Sequence, residues 1–143
     1  MTGRRTEALA ALLRGLQADR SAYARLRELL EAQFQAALRH QAEPLRRLAD
    51  EIVALVDELD AHTRRRGLLL RQLLGPQGEP GIGRLLQRLP APVEQPLAGL
   101  WAALEAQVRD CKALNQRNCQ LITDQQALMR RVMGVEEGLY AES

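Results

Sequence analysis

The sequence predicts an all-α fold, an elongated antiparallel bundle of three long helices, on three observations. Apolar side chains recur at steps of three, four and seven through three long stretches of the chain. Hydrophobic residues make up 46% of the sequence but aromatic ones only 3%, with charged residues at 27%. That mixture, dominated by Leu and Ala, suits amphipathic helices better than sheets. Proline and glycine concentrate around Pro44 and over 75–96, and so divide the stretches. At 143 residues the chain forms one domain, because two independent cores would each be marginal.

The first helix is expected over about 6–39, where Leu9, Leu12, Leu16, Tyr23, Leu26, Leu30, Phe34 and Ala37 share one stripe. Thr2 or Thr6 is placed to cap it. Gly15 costs about 1 kcal/mol, which packing along so long a helix offsets. A short turn over His40–Glu43 lets Pro44 open the second helix, where its missing N–H does no harm. This helix, about 44–74, carries Leu48, Ile52, Leu55, Leu59, His62, Arg66, Leu69 and Leu73 and ends at Gly75.

A Gly/Pro loop is expected over 75–95. Gly75, Gly78 and Gly81 fall at a collagen-like period of three, but a triple helix needs many more triplets. No Gly-Lys-Ser/Thr follows, so the segment is not a phosphate loop. One or two helical turns fit between Arg84 and Leu89, before Pro90, Pro92 and Pro96.

The third helix is expected over about 96–133. Its seam reads Leu97, Trp101, Leu104, Val108, Cys111, Asn115, Asn118, Ile122, Gln125, Met129 and Val132. Such a helix is roughly 55 Å long, and its 3.5-residue repeat calls for a left-handed supercoiled neighbour. Gly134 and Gly138 are expected to end it, leaving a tail over 134–143.

Composition and motifs exclude several function classes. Twenty basic residues against 18 acidic ones leave +2, too little for a surface that tracks nucleic acid phosphates. Arg64, Arg65, Arg66, Arg71, Arg84 and Arg88 face only Glu79 in their segment, which reads either as a solvated helix end or as a dock for an acidic partner. Cys111 and Cys119 lie eight positions apart on one helix, roughly 12 Å, so no bond joins them. Free thiols fit a reducing cytosol.

The apolar run Ala8–Leu13 is too short for an export signal. No stretch reaches the ~18 apolar residues of a membrane span, so a cytoplasmic protein without membrane insertion is expected. His40 and His62 lack metal-ligand spacing, and no nucleophile motif surrounds Ser21, Ser143 or the cysteines. Neither an enzyme nor a cofactor is expected. His62 reads as a satisfied interior or edge histidine and Cys111 as a small hydrophobe on the stripe.

The segment Leu114-Asn115-Gln116-Arg117-Asn118-Cys119-Gln120-Leu121-Ile122 sets two amides where apolar residues belong. Two readings stand. Either the amides lock register inside the bundle, or they belong to an amphipathic surface that accepts a partner helix.

With Leu29-Leu30-Glu31, the Arg-rich end of helix 2 before a Gly-containing loop, and the pattern Trp101, Leu104, Leu114, Asn115, Asn118, Leu121, Ile122, the chain resembles the FlgN family over roughly 6–133. It departs from the family pattern at Cys119, where members often have Gly, and in a tail reduced to Leu139-Tyr140-Ala141.

The resemblance implies a cytoplasmic flagellar export chaperone whose partners are the hook-filament junction proteins, with the export machinery as a second contact. It also implies a cargo surface in the C-terminal part of the chain: Leu114, Asn115, Asn118, Leu121, Ile122, Gln125, Leu128, Met129, Val132 and Met133. A monomer or weak homo-oligomer is expected. The rival reading is a structural coiled coil that self-associates through 97–132.

Overall fold

The computed structural model describes residues 2–142, with side chains over 3–139. Four helices follow in order: α1 (Thr2–Leu38), α2 (Ala42–Leu74), α3 (Ile82–Gln87) and α4 (Ala91–Glu142). No strand occurs among the described residues. The three long helices expected are present, joined by a fourth, short one.

α1 ends in a Schellman turn. His40 takes φ 53°, Gln41 N–H donates to Ala36 O at 3.0 Å, and His40 N–H donates to Ala37 O at 3.2 Å. The left-handed position carries a Cβ that glycine lacks. His40→Gly is therefore expected to stabilise the fold by about 0.5–1 kcal/mol, read as a raised midpoint in urea. α2 begins two residues earlier than expected. Pro44 lies within its first turn, where no N–H is required, and Leu45 N–H reaches Gln41 O at 3.1 Å.

The Gly/Pro loop is held from within. Arg84 Nη1 donates to Gln77 O at 2.9 Å and Glu79 O at 3.0 Å, and Arg88 donates to Leu74 O at 3.2 Å, satisfying a carbonyl at the end of α2. Two arginines of the basic segment are thus committed to the loop. α3 drops Ile82 and Leu85 into a cluster with Leu12, Leu16, Leu70, Leu74, Leu97 and Leu104, and so closes one end of the bundle.

The third long helix outruns its expected bounds at both ends. It starts at Ala91 rather than Pro96, because Pro90 O accepts Val93 N–H at 3.0 Å and Glu94 N–H at 2.9 Å. Pro92 sits in the first turn, and Pro96 forfeits a single bond next to the buried Leu97. The tail expected over 134–143 is helical through Glu142. Gly134 and Gly138 lie inside the helix, since glycine disfavours a helix by only about 1 kcal/mol and no proline follows to end it.

α1 is the central helix, packed along both α2 and α4, while α3 bridges α2 and α4. α2 returns antiparallel to α1: Leu12 and Leu16 share a cluster with Leu70 and Leu74, whereas Leu29 and Ala36 meet Leu48. α4 runs parallel to α1, as the side-chain bonds between them establish.

Candidate functional site

α4 is registered on α1 by polar side chains reaching the α1 backbone. Gln107 Nε2 donates to Arg20 O at 3.1 Å, Cys111 Sγ to Tyr23 O at 3.6 Å, Asn118 Nδ2 to Leu30 O at 2.7 Å and Gln125 Nε2 to Ala37 O at 3.0 Å. The last three contacts keep one offset of 88 residues and advance by a heptad each time. A helix carbonyl already bonded within its helix still has a second lone pair, so a seam amide can bond it without breaking the helix.

Asn118 is 1% exposed and fully satisfied. Its Nδ2 also donates to Gln33 Oε1 at 2.8 Å, and its Oδ1 accepts from Arg117 at 3.2 Å. Arg117 in turn stacks over Phe34 at 3.7 Å and pairs with Glu31. Of the two readings of the amide segment, the register lock describes Asn118. Sliding α4 by one turn would take its amide away from Leu30 O and Gln33 Oε1.

The expected surface residues separate along the helix. Asn118 is buried, and Leu114, Leu121, Ile122 and Gln125 are half-buried, with Leu114 packed on the Leu26, Leu30, Leu59 and Cys111 cluster. Asn115 is exposed: the seam takes Leu114 in its place, one residue around the helix. Leu128, Met129, Val132 and Met133 are 60, 59, 46 and 55% exposed, and Val135 and Leu139 join them at 66 and 65%.

The cause is a difference in length. With the offset of 88, Leu38 at the end of α1 stands level with residue 126 of α4. The rest of α4 projects past the bundle by about 24 Å. At its base, Ile122, Met129 and Met133 face Leu45 and Ala49 of α2 across an open apolar groove. Leu128, Met129, Val132 and Met133 thus form an apolar strip that the bundle leaves uncovered.

A second polar constellation lies inside the opposite half of the bundle. Asp19 is 3% exposed. Its Oδ1 meets His62 Nδ1 at 2.6 Å and its Oδ2 meets Arg66 Nη1 at 2.9 Å, while Arg66 stacks over Trp101 at 5.3 Å. His62 is thus a half-buried histidine with a partner, at the edge of the bundle. Arg66 leaves the solvated basic patch to join α1, α2 and α4. Asp19 was not among the expected functional residues, yet a signal existed: the step of seven from Leu16 to Tyr23 passes over it, at a core position. Burial, and next the Asp19 carboxylate, push the Tyr23 hydroxyl above its usual pKa. Burial likewise raises the Cys111 thiol.

Among the described residues, no group of three His, Cys, Asp or Glu could hold a metal ion, and no helix is long and apolar enough to cross a membrane. The geometry leaves an exposed apolar strip on α4. A family model described as FlgN protein matches residues 1–135, which span the bundle and the Leu128–Met133 part of the strip.

The chain belongs to the FlgN family. FlgN proteins are chaperones of flagellum assembly that act on hook-associated proteins, so the expected family is the family found. No curated protein and no solved structure matches the chain. In this FlgN protein α4 is divided by position: Gln107, Asn118 and Gln125, level with α1, bond its backbone, while Leu128, Met129, Val132 and Met133 beyond it are exposed.

Proposed function

We propose that this FlgN protein is a cytoplasmic export chaperone that holds the helical terminal segment of hook-filament junction proteins on the projecting part of α4. The observation that carries the reading is the apolar strip Leu128, Met129, Val132, Met133, exposed because α1 ends at Leu38. A partner helix laid there continues the contact α1 makes lower down, and buries apolar surface at roughly 25 cal/mol per Å².

Covering the partner's own apolar face blocks its premature assembly. Ordering a flexible segment consumes part of the binding energy and keeps the complex releasable. Met129 and Met133 adapt to more than one partner. Arg64, Arg65 and Arg71, all exposed, are left to meet an acidic surface such as the export machinery.

The test is a calorimetric titration of a junction protein's terminal segment into the full chain and into a chain ending at Gln126. The full chain binds, and the shortened one does not. Its helices stay folded, since Asn118 is the last buried residue among the described ones. Undiminished affinity in the shortened chain would end the proposal.

A further inference from the structure

A pocket opens on the seam of α1 and α2, along residues 11–19 of α1, whereas the strip of α4 lies beyond the end of α1. Ala11, Gly15 and Ala18 form its α1 wall, and Leu69 with the edges of the buried Leu12 and Leu16 forms its floor. Arg14 stands on the α1 side and Arg65 on the α2 side, both exposed. Among the described residues no ion pair engages either of them, because Asp19, the one acid in the wall, gives one oxygen to His62 and the other to Arg66. The mouth is therefore positive.

Size and polarity select the ligand. A volume of about 250 Å³ lies below the roughly 300–1,000 Å³ of a site that takes a whole small molecule, and suits a side chain or two. The floor is apolar and the uncommitted cations stand at the mouth, so the ligand combines an aliphatic body with an anionic group close by. A helix with an acid one turn from a leucine has this form, since residues three or four apart share a face. Leu68, 71% exposed, extends the apolar surface outward past Arg65. A nucleic acid or a free phosphate would meet the same arginines and gain nothing from the leucine floor.

Gly15 keeps the pocket open. A Cβ added there meets nothing within 4 Å, so packing does not call for glycine, yet glycine disfavours the interior of a helix such as α1. A local rule broken without a packing reason points to a site.

We propose that this pocket docks an acidic helical segment of a partner protein, with an aliphatic side chain seated between Gly15 and Leu69 and a Glu or Asp one turn away held by Arg14 and Arg65. The proposal rests on the reading of the basic stretch as a dock for an acidic partner, and not on cargo capture by α4.

The experiment titrates the full chain, by calorimetry, with a synthetic helical peptide carrying leucine and glutamate four residues apart. The same peptide with lysine for glutamate, and inorganic phosphate, are the comparisons. The Leu/Glu peptide is expected to bind with a Kd on the order of 100 μM, and the other two not at all. Arg14→Glu with Arg65→Glu weakens binding at least about tenfold through like-charge contact. Gly15→Leu raises the melting temperature through its better helix propensity and abolishes binding by filling the pocket. Val132→Asp, on the strip, leaves peptide binding unchanged.

No binding of the Leu/Glu peptide, equal binding of the lysine peptide or of phosphate, or undiminished binding by Gly15→Leu would each overturn the site. Binding lost in Val132→Asp would place the peptide on the strip and overturn it as well. A chain that binds the peptide but ignores junction-protein segments sinks only the chaperone reading. One that takes those segments yet ignores the peptide sinks only the pocket.

Discussion

Val132→Asp is expected to weaken capture of a junction protein's terminal helix by roughly a hundredfold while leaving the helical content unchanged. Val132 is 46% exposed and lies beyond the end of α1, so in the free chain the new carboxylate stays in water and folding is hardly affected. Under a docked helix the same carboxylate loses its water without gaining a counterion, which costs several kcal/mol unless the helix shifts away. Calorimetry measures the loss and circular dichroism the fold. Leu104→Asp is the contrasting control: Leu104 is 2% exposed in the main core, and there the charge unfolds the protein. Normal binding by Val132→Asp would remove the projecting strip as the cargo surface.

Asp19→Ala is expected to destabilise the fold by about 3–5 kcal/mol, the usual consequence of removing one partner from a buried charged pair. Its carboxylate is the acceptor for both His62 and Arg66, and the Arg66 side chain, 20% exposed, is further held over Trp101. Without Asp19 the guanidinium loses its counterion where water can scarcely replace it. The melting temperature should fall by roughly 10–20 °C. Asp19→Asn keeps the volume and one acceptor and should fall between. Because the network lies at mid-length of α1 while the strip lies beyond the end of α1, surviving folded Asp19→Asn protein should bind its partner as well as the unchanged chain. A melting curve that ignores the substitution would show that the network contributes nothing net.

Much of the architecture was legible in the residues. The stripe of helix 1, the Pro44 turn, the Gly75 stop and the short turns near Arg84 all depend on neighbours close in sequence, where spacing and backbone limits act directly. The misses share a cause. Pro96 and Gly134 read as helix ends because each disfavours a helix locally, yet one lost bond or a missing Cβ is outweighed when the flanking residues go on forming helix. Asn115 and Leu114 both satisfy a three-four repeat, and only the neighbour's position tells which one faces it. Asp19 was passed over because an acid within a leucine stripe looks like an interruption until its partners are placed 43 and 47 residues away.

The sequence by itself determined that this protein is three long helices of FlgN type with an amphipathic third one, because helix periodicity is a property of each segment alone. The tertiary structure decided what that amphipathic face does along its length. The parallel pairing and the offset of 88 arise from contacts between distant segments, set by Asn118 against Leu30 and Gln125 against Ala37. Those contacts assign Asn118 to the core and leave Leu128, Val132 and Leu139 bare, since a helix face is buried only as far as its neighbour reaches.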